Sequence, residues 1–145
     1  RQRQMCIRDS INHEKMVMAR REKIARIADD IPALEVLDPN GADTLLVGWG
    51  GTYGHLRTAA TELNAAGKPV AFAHFNYINP LPANTAEVLA KYKRVIVAEL
   101  NTGMFADYLQ AKFPDVKIAR INKIQGQPFL VSEVVEGVTK IMEDK

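Results

Sequence analysis

Cysteine is almost absent from this sequence, since Cys6 is the only one among 145 residues. A single thiol excludes a disulfide framework, a zinc site built from cysteines and an iron–sulfur cluster held within the chain. Long apolar runs are absent too, because no stretch approaches the roughly 20 apolar residues of a transmembrane helix. No basic start followed by an apolar middle marks a signal peptide. These absences predict a cytoplasmic protein without a membrane partner.

The body of the chain also lacks a net charge. Residues 1–30 carry eight Lys or Arg against five Asp or Glu, a balance of +3, while residues 31–145 carry eleven against twelve, a balance of −1. A nearly neutral body has none of the basic footprint of a nucleic-acid-binding domain, so we expect no nucleic-acid partner. The 47% hydrophobic and 25% charged residues are typical of one globular domain with its own core.

Short apolar runs are what the sequence does contain, at residues 44–47, 69–75, 94–100 and 116–121. Each is too short for a helix, and amphipathic helical segments separate them. Strands that alternate with helices predict βαβ crossovers and a parallel sheet covered on both faces. A further short segment at residues 34–37 fits an edge strand. The predicted fold is therefore a three-layer, Rossmann-like α/β domain.

The stretch DTLLVGWGGTYG, residues 43–54, is the centre of this pattern. Gly48, Gly50 and Gly51 remove side chains from the turn after the first buried strand, and Thr52 could cap the helix that follows. Such a strand–turn–helix unit suits an anion in principle. The glycines match neither G-x-G-x-x-G nor a P-loop, however. A tight turn with close packing, with positive φ at Gly50 or Gly51, explains them better.

The first 32 residues differ from the rest. Residues 1–10, RQRQMCIRDS, lack apolar periodicity and look like a non-native adaptor or vector sequence joined to a gene. Residues 11–32 predict a charged linker helix with a narrow apolar stripe, which Pro32 ends. We therefore divide the chain into residues 1–10, the linker helix at residues 11–32 and an α/β domain at residues 33–145.

Ligands of open α/β sheets bind at the carboxyl ends of the strands, which are rich here in Gly, Asn and Pro. His74 lies within an apolar strand and fits a core histidine better than a ligand or base. Glu99 ends a strand without an evident acid or base partner. No catalytic residue and no metal ligand is therefore predicted. The candidate cofactor-binding residues are Gly48, Gly50, Gly51, Thr52, Asn76, Asn79, Asn101 and Gly103.

Four motifs carry a family resemblance in order along the chain: ADTLLVGWGGTYG, HFNYINPLP, VIVAELNTGMFADYL and KIQGQPF. Together they resemble the last domain of the alpha subunit of 2-oxoacid:ferredoxin oxidoreductases, with the 2-oxoglutarate type most similar. The helix NHEKMVMARREKIARIADDIP resembles the linker that leads into that domain. Many members carry a basic residue where this chain has Asn76, so the resemblance does not imply an anion site there.

The resemblance implies a transketolase C-terminal-like fold of about five strands, mostly parallel, with one antiparallel edge strand. It also implies that the parent enzyme oxidatively decarboxylates a 2-oxoacid on thiamine diphosphate and magnesium. The acyl group would pass to coenzyme A, and electrons would leave through an iron–sulfur cluster to ferredoxin. The implied partners are the beta subunit and the upstream domains of the alpha subunit. This fragment alone is expected to bind no cofactor and to be inactive.

Two hypotheses from different classes remain open at this point. The first is a fragment of an oxidoreductase alpha subunit that contributes an assembly surface and a wall of the site. The second is a stand-alone nucleotide- or acyl-binding module that uses the turn at residues 48–52.

Overall fold

The computed structural model describes residues 10–144, which form two compact units. The first unit contains helix α1, Ser10–Arg26, a 3₁₀ turn at Ile27–Asp29 and the loop at residues 77–83. No residue of α1 or of the 3₁₀ turn is buried. The loop includes a cis peptide bond between Asn79 and Pro80. Residues 1–9 lie outside the described part, so the prediction of a non-native segment is not tested by the structure.

The second unit, residues 34–76 and 84–145, holds a five-stranded sheet with the strand order β1-β3-β2-β4-β5. Strand β1 pairs antiparallel with β3, and all other neighbours are parallel. This pattern confirms the predicted mixed sheet with one antiparallel edge strand. The strands are β1 Val36–Leu37, β2 Thr44–Trp49, β3 Ala71–Phe75, β4 Arg94–Glu99 and β5 Ile118–Asn122.

Helices cover both faces of the sheet in the second unit. They are α2 Tyr53–Ala65, α3 Thr85–Ala90, α4 Met104–Lys112 and α5 Val131–Glu143. Helices α2 and α5 pack over one face, where their apolar side chains share a core with Leu46, Phe72 and Ile96. Phe105 of α4 packs over the other face, against Trp49 and Phe75. The three central strands are almost wholly buried, as parallel strands covered on both faces must be.

The side-chain periodicity explains which helix face is buried. Leu56, Ala59, Ala60 and Leu63 of α2 are all buried, because residues three and four apart share one face of a helix. Helix α2 ends at Ala65, shortly before Gly67, whose φ of +76° suits a glycine. Among residues 10–144, no helix has both the length and the apolar character to cross a lipid bilayer.

Candidate functional site

The carboxyl edge of the sheet is where a doubly wound fold binds its ligands. Strand β2 lies between β3 and β4, and the helices that follow β2 and β4 cover opposite faces. The two chain segments leaving β2 and β4 therefore diverge, and the gap between them is the topological switch point. A bound nucleotide or cofactor would be expected there.

A side-chain contact spans this switch point. The indole Nε1 of Trp49, the last residue of β2, donates a hydrogen bond to Oε2 of Glu99, the last residue of β4, at 3.3 Å. The Trp49 ring lies 6.0 Å from the Phe105 ring, which in turn lies 5.1 Å from that of Phe75. Aromatic rings of the chain itself therefore pack beside the strand ends at the switch point.

The Glu99 carboxylate is fully buried, with 0% exposure, and it is hydrogen-bonded at both oxygens. The backbone N–H of Phe105 donates to Oε2 at 2.9 Å, and that of Ala106 donates to Oε1 at 2.8 Å. A carboxylate at a helix N-terminus is stabilised by these charge-assisted bonds and by the helix dipole. Glu99, which has no evident acid or base partner in the sequence, therefore caps α4.

Asn101 and Gly103 complete the same cap. Asn101 Oδ1 accepts hydrogen bonds from the backbone N–H groups of Gly103 at 2.7 Å and Met104 at 2.9 Å. Gly103 has a φ of +103°, and a Cβ there would lie 3.1 Å from the Asn122 side chain. The first N–H groups of α4 thus point at side chains of the chain, which leaves this helix end without donors for a phosphate.

The turn after β2 takes a different form. The Thr52 hydroxyl donates to the carbonyl of Trp49 at 2.9 Å and accepts from its N–H at 3.2 Å. No side chain caps α2, so the prediction that Thr52 caps this helix is wrong. The hydroxyl is instead used to close the 3₁₀ turn Gly50–Thr52. Gly50 has a φ of +59°, which confirms the expected positive φ, while Gly51 has open space around it.

His74 faces this turn from β3, where it pairs in register with Gly48. Its ring makes an edge-to-face contact with Tyr53 at 5.1 Å and lies 6.3 Å from that of Phe72. Its buried Nδ1 has no hydrogen-bond partner among the described residues. Burial lowers the pKa of His74 below 6.5, and a hydrogen bond with the backbone of Gly50 opposes this only in part. His74 is thus a half-buried aromatic packing residue.

An ion pair lies beyond the end of β5. The Lys123 Nζ donates to both carboxylate oxygens of Glu133, at 2.8 and 2.7 Å, and the Lys123 side chain is only 9% exposed. The same carboxylate accepts the Leu130 N–H at 2.8 Å. The hydrogen bond from Lys123 therefore lowers the pKa of Glu133. The ion pair connects the start of the loop at residues 124–130 to the first turn of α5. This pair was not identified from the sequence, because no sequence motif marks it.

The remaining candidate residues do not form one constellation. Asn76 directly follows β3 in the second unit, whereas Asn79 belongs to the first unit. Among residues 10–144, no three His, Cys, Asp or Glu side chains cluster as metal ligands. The carboxylate and amide at the switch point, Glu99 and Asn101, already bind backbone N–H groups. The residues present therefore do not fit a magnesium-bound diphosphate, and a binding role for the candidates stays a prediction.

Comparison with known proteins gives the family context. No family model matches the chain. The chain is 43% identical over 124 residues to the 2-oxoglutarate oxidoreductase subunit KorA of Mycobacterium tuberculosis, and this match covers 85% of the chain and 18% of KorA. Among solved structures, the 2-oxoglutarate:ferredoxin oxidoreductase from Magnetococcus marinus superposes with a TM-score of 0.83 at 29% identity, covering 93% of this chain and 24% of that one.

A more distant structure concerns the fold alone. A split-gene transketolase superposes with a TM-score of 0.56 at 17% identity, covering 73% of this chain and 40% of that one. This likeness confirms the predicted transketolase-like α/β fold. The chain spans less than a quarter of the length of KorA and of the Magnetococcus chain, at 18% and 24%.

Proposed function

Because the chain belongs to the alpha subunits of 2-oxoacid:ferredoxin oxidoreductases, of which it matches a C-terminal fragment of the 2-oxoglutarate type, we propose that it is a structural and assembly domain of such an enzyme. In the whole enzyme a 2-oxoacid, with 2-oxoglutarate as the expected substrate, is oxidatively decarboxylated to acyl-CoA while ferredoxin is reduced. The domain's proposed partners are the beta subunit and the upstream domains of the same alpha subunit. Its proposed location is the cytoplasm.

One observation carries the structural role. The switch point is occupied by the hydrogen bond between Trp49 and Glu99, and Glu99 is in turn bonded to the first turn of α4. The position that would bind a cofactor in a doubly wound domain is thereby used to join β2, β4 and α4. The domain thus has a rigid carboxyl edge suited to contact with neighbouring protein.

Thiamine diphosphate with magnesium, coenzyme A and an iron–sulfur cluster belong, in this proposal, to other parts of the enzyme. The thiamine would supply the electron sink for decarboxylation, and the cluster would transfer the electrons. This chain's own residues hold the carboxyl edge in shape, and no proton transfer is assigned to them. The 2-oxoglutarate, coenzyme A and succinyl-CoA found in the Magnetococcus enzyme support the proposed substrate and acyl acceptor.

The second candidate is a stand-alone nucleotide- or acyl-binding module. Its support is the first turn of α2, which follows a glycine-rich turn and has no side-chain cap. Titration calorimetry of the chain with ATP, NADH and coenzyme A tests it directly. Binding of any of these in the micromolar range would favour the module, whereas heats no larger than dilution favour the assembly domain.

The decisive experiment compares this chain with the complete alpha subunit, each purified with the beta subunit. Each sample receives 2-oxoglutarate, coenzyme A, thiamine diphosphate and magnesium, and viologen or ferredoxin reduction is followed. We expect turnover from the complete pair and none from the 145-residue chain. Turnover by the short chain would overturn the structural role, and a complete pair that acts on no 2-oxoacid would overturn the enzyme assignment.

A further inference from the structure

The two edges of the sheet in the second unit differ sharply in charge. The carboxyl-edge loops, defined as residues 48–54, 100–104 and 124–130, contain no Asp, Glu, Lys, Arg or His among 19 residues. The amino-edge loops at residues 38–43, 66–70, 91–93 and 113–117 have the same total of 19 residues, and seven of these are charged. A chain with 25% charged residues thus keeps these loops free of charge, and the neighbouring charges of Lys123 and Glu133 pair with each other.

Exposed apolar side chains concentrate on the same edge. Of the six large apolar side chains exposed in the second unit, five belong to the carboxyl-edge loops. They are Tyr53, Leu100, Met104, Ile124 and Leu130, which are 43%, 41%, 68%, 70% and 61% exposed. Single exposed apolar residues are common, but their concentration on an uncharged edge is typical of a surface that is covered in the working protein.

The chemistry of the edge favours protein over a small anionic ligand. The loops offer no Lys or Arg to a phosphate or carboxylate. The first N–H groups of α4 are bound by Glu99 and Asn101, and Leu130 N–H at the start of α5 is bound by Glu133. An apolar, charge-depleted surface on which the starts of α4 and α5 are already capped has the composition of the core of a permanent interface.

We propose that the carboxyl-edge loops are buried against another part of the same alpha-subunit polypeptide, through an apolar and uncharged surface. This inference rests on the proposed function. An occupant from the same polypeptide is favoured because the chain covers only 18% of KorA and 24% of the Magnetococcus chain, so most of such a subunit is available to cover the edge. A permanent intramolecular contact also needs no charge for steering, in contrast to a diffusing partner.

Oxidation of Met104 tests the proposal in the complete alpha subunit. The subunit is exposed to dilute peroxide with and without the beta subunit, and sulfoxide at Met104 is followed by peptide mass spectrometry against N-acetylmethionine amide. Oxidation slowed about tenfold or more in the alpha subunit alone is expected for a covered side chain. If Met104 oxidation is slowed only when the beta subunit is present, the proposal is wrong. It is also wrong if Met104 in the alpha subunit is oxidised as fast as N-acetylmethionine amide.

Charge insertion provides an independent readout. Met104→Asp places a carboxylate at the N-terminus of α4, where the helix dipole favours it, so local structure alone should not be weakened. If the edge is covered, the variant must bury an unpaired charge, and the melting temperature of the complete alpha subunit falls. The matched control, Thr58→Asp, adds the same charge at an exposed position on α2, outside the carboxyl-edge loops.

Equal melting temperatures for Met104→Asp, Thr58→Asp and the unmodified alpha subunit would overturn the proposal. Turnover of 2-oxoglutarate by the unmodified alpha–beta pair is measured in parallel. If the pair is active but Met104 is not covered, only the proposal of buried carboxyl-edge loops is wrong, and the proposed function is unaffected. A pair inactive on every 2-oxoacid would reject the proposed function instead.

Discussion

Three glycines follow each other closely at the end of β2, and the structure gives each a different role. Gly50 adopts the left-handed conformation, and Gly51 has open space around it. Gly48 is the most constrained, because a Cβ there would lie 2.4 Å from Leu56 Cδ1 and 2.8 Å from Thr52 Oγ1. The packing of α2 against the sheet therefore depends on the absence of a side chain at Gly48.

Gly48→Ala should destabilise the chain by about 1–3 kcal/mol, the usual cost of overpacking a tight interior. Gly51→Ala is the matched control, and its effect should stay within about 0.5 kcal/mol, as for most surface changes. Urea unfolding of both variants and of the parent chain measures the change in the free energy of unfolding for each substitution. Equal losses for the two variants would contradict the close approach of α2 to β2.

His74 predicts a dependence of stability on pH. Burial holds the pKa of its folded-state imidazole below 6.5, so at mildly acidic pH the unfolded chain binds the proton more readily than the folded one. The contribution of His74 is therefore fully present above pH 6.5 and is lost as the pH falls below that value. His74→Phe keeps an aromatic ring against Tyr53 and removes the titration.

Urea unfolding between pH 5 and 7.5 tests this sign. The free energy of unfolding should fall toward pH 5 in the parent chain and less steeply in His74→Phe. A parent chain that becomes more stable as the pH falls from 7 to 5.5 would refute the assignment.

Helix α4 shows how an element depends on a residue outside it. Its first N–H groups are bound by Asn101 and by Glu99, the last residue of the preceding strand. Glu99→Gln would place an amide group, itself a donor, against backbone donors that need an acceptor. We expect a loss of about 2 kcal/mol or more, because bonds to a charged group are lost and a buried donor is left unsatisfied.

Trp49 provides a direct measurement for this variant. It is the only tryptophan in the chain, and its indole donates to Glu99. Glu99→Gln should therefore shift the fluorescence emission as well as lower the free energy of unfolding. Glu136→Gln, at an exposed position on α5, is the control and should change neither. An unchanged melt and an unchanged emission spectrum in Glu99→Gln would show that the carboxylate does not cap α4.

The strands and helices of this chain were predictable where the pattern that indicates them lies within a short stretch of sequence. Apolar runs bounded by turn residues locate the strands, and the spacing of Leu56, Ala59 and Leu63 gives the buried face of α2. Side-chain hydrogen bonds that cap helices or join separate segments were not predictable, because the two partners are distant in sequence. The Asn84 side chain, for example, bonds the backbone N–H and C=O of Leu34, fifty residues away. Such pairs become visible only once the sheet order is known.

The same limit explains the candidate site. Glycines and asparagines at strand ends were identifiable from the sequence, because βαβ topology places those ends on one edge. Whether such residues bind a ligand or stabilise the fold depends on which other groups of the chain form hydrogen bonds with them. Asn101 caps α4, and Trp49 reaches Glu99 across the switch point. Both contacts depend on the juxtaposition of β2 and β4, which periodicity alone does not give.

At the scale of the whole chain, the two units contribute unequally to the described core. The shared core cluster is built from residues between 46 and 142, all in the second unit, whereas α1 has no buried residue. Apolar side chains of α1 that are exposed here include Met16, Val17 and Ile24, at 44% each. A helix that buries no side chain contributes little hydrophobic stabilisation, since that contribution scales with the apolar area removed from water.

Two truncations test this division of the chain. Deleting residues 1–10 should leave the free energy of unfolding unchanged, because RQRQMCIRDS offers little apolar surface to bury. Deleting residues 1–26 removes α1 as well and should change it by less than about 1 kcal/mol, within the range of most surface changes. Ile31 and Leu34, which are buried, are retained in both variants. A larger loss in urea unfolding, or a loss of cooperativity, after the longer deletion would show that α1 is part of the folding unit. A larger loss after the shorter deletion would show that residues 1–10 belong to the native protein.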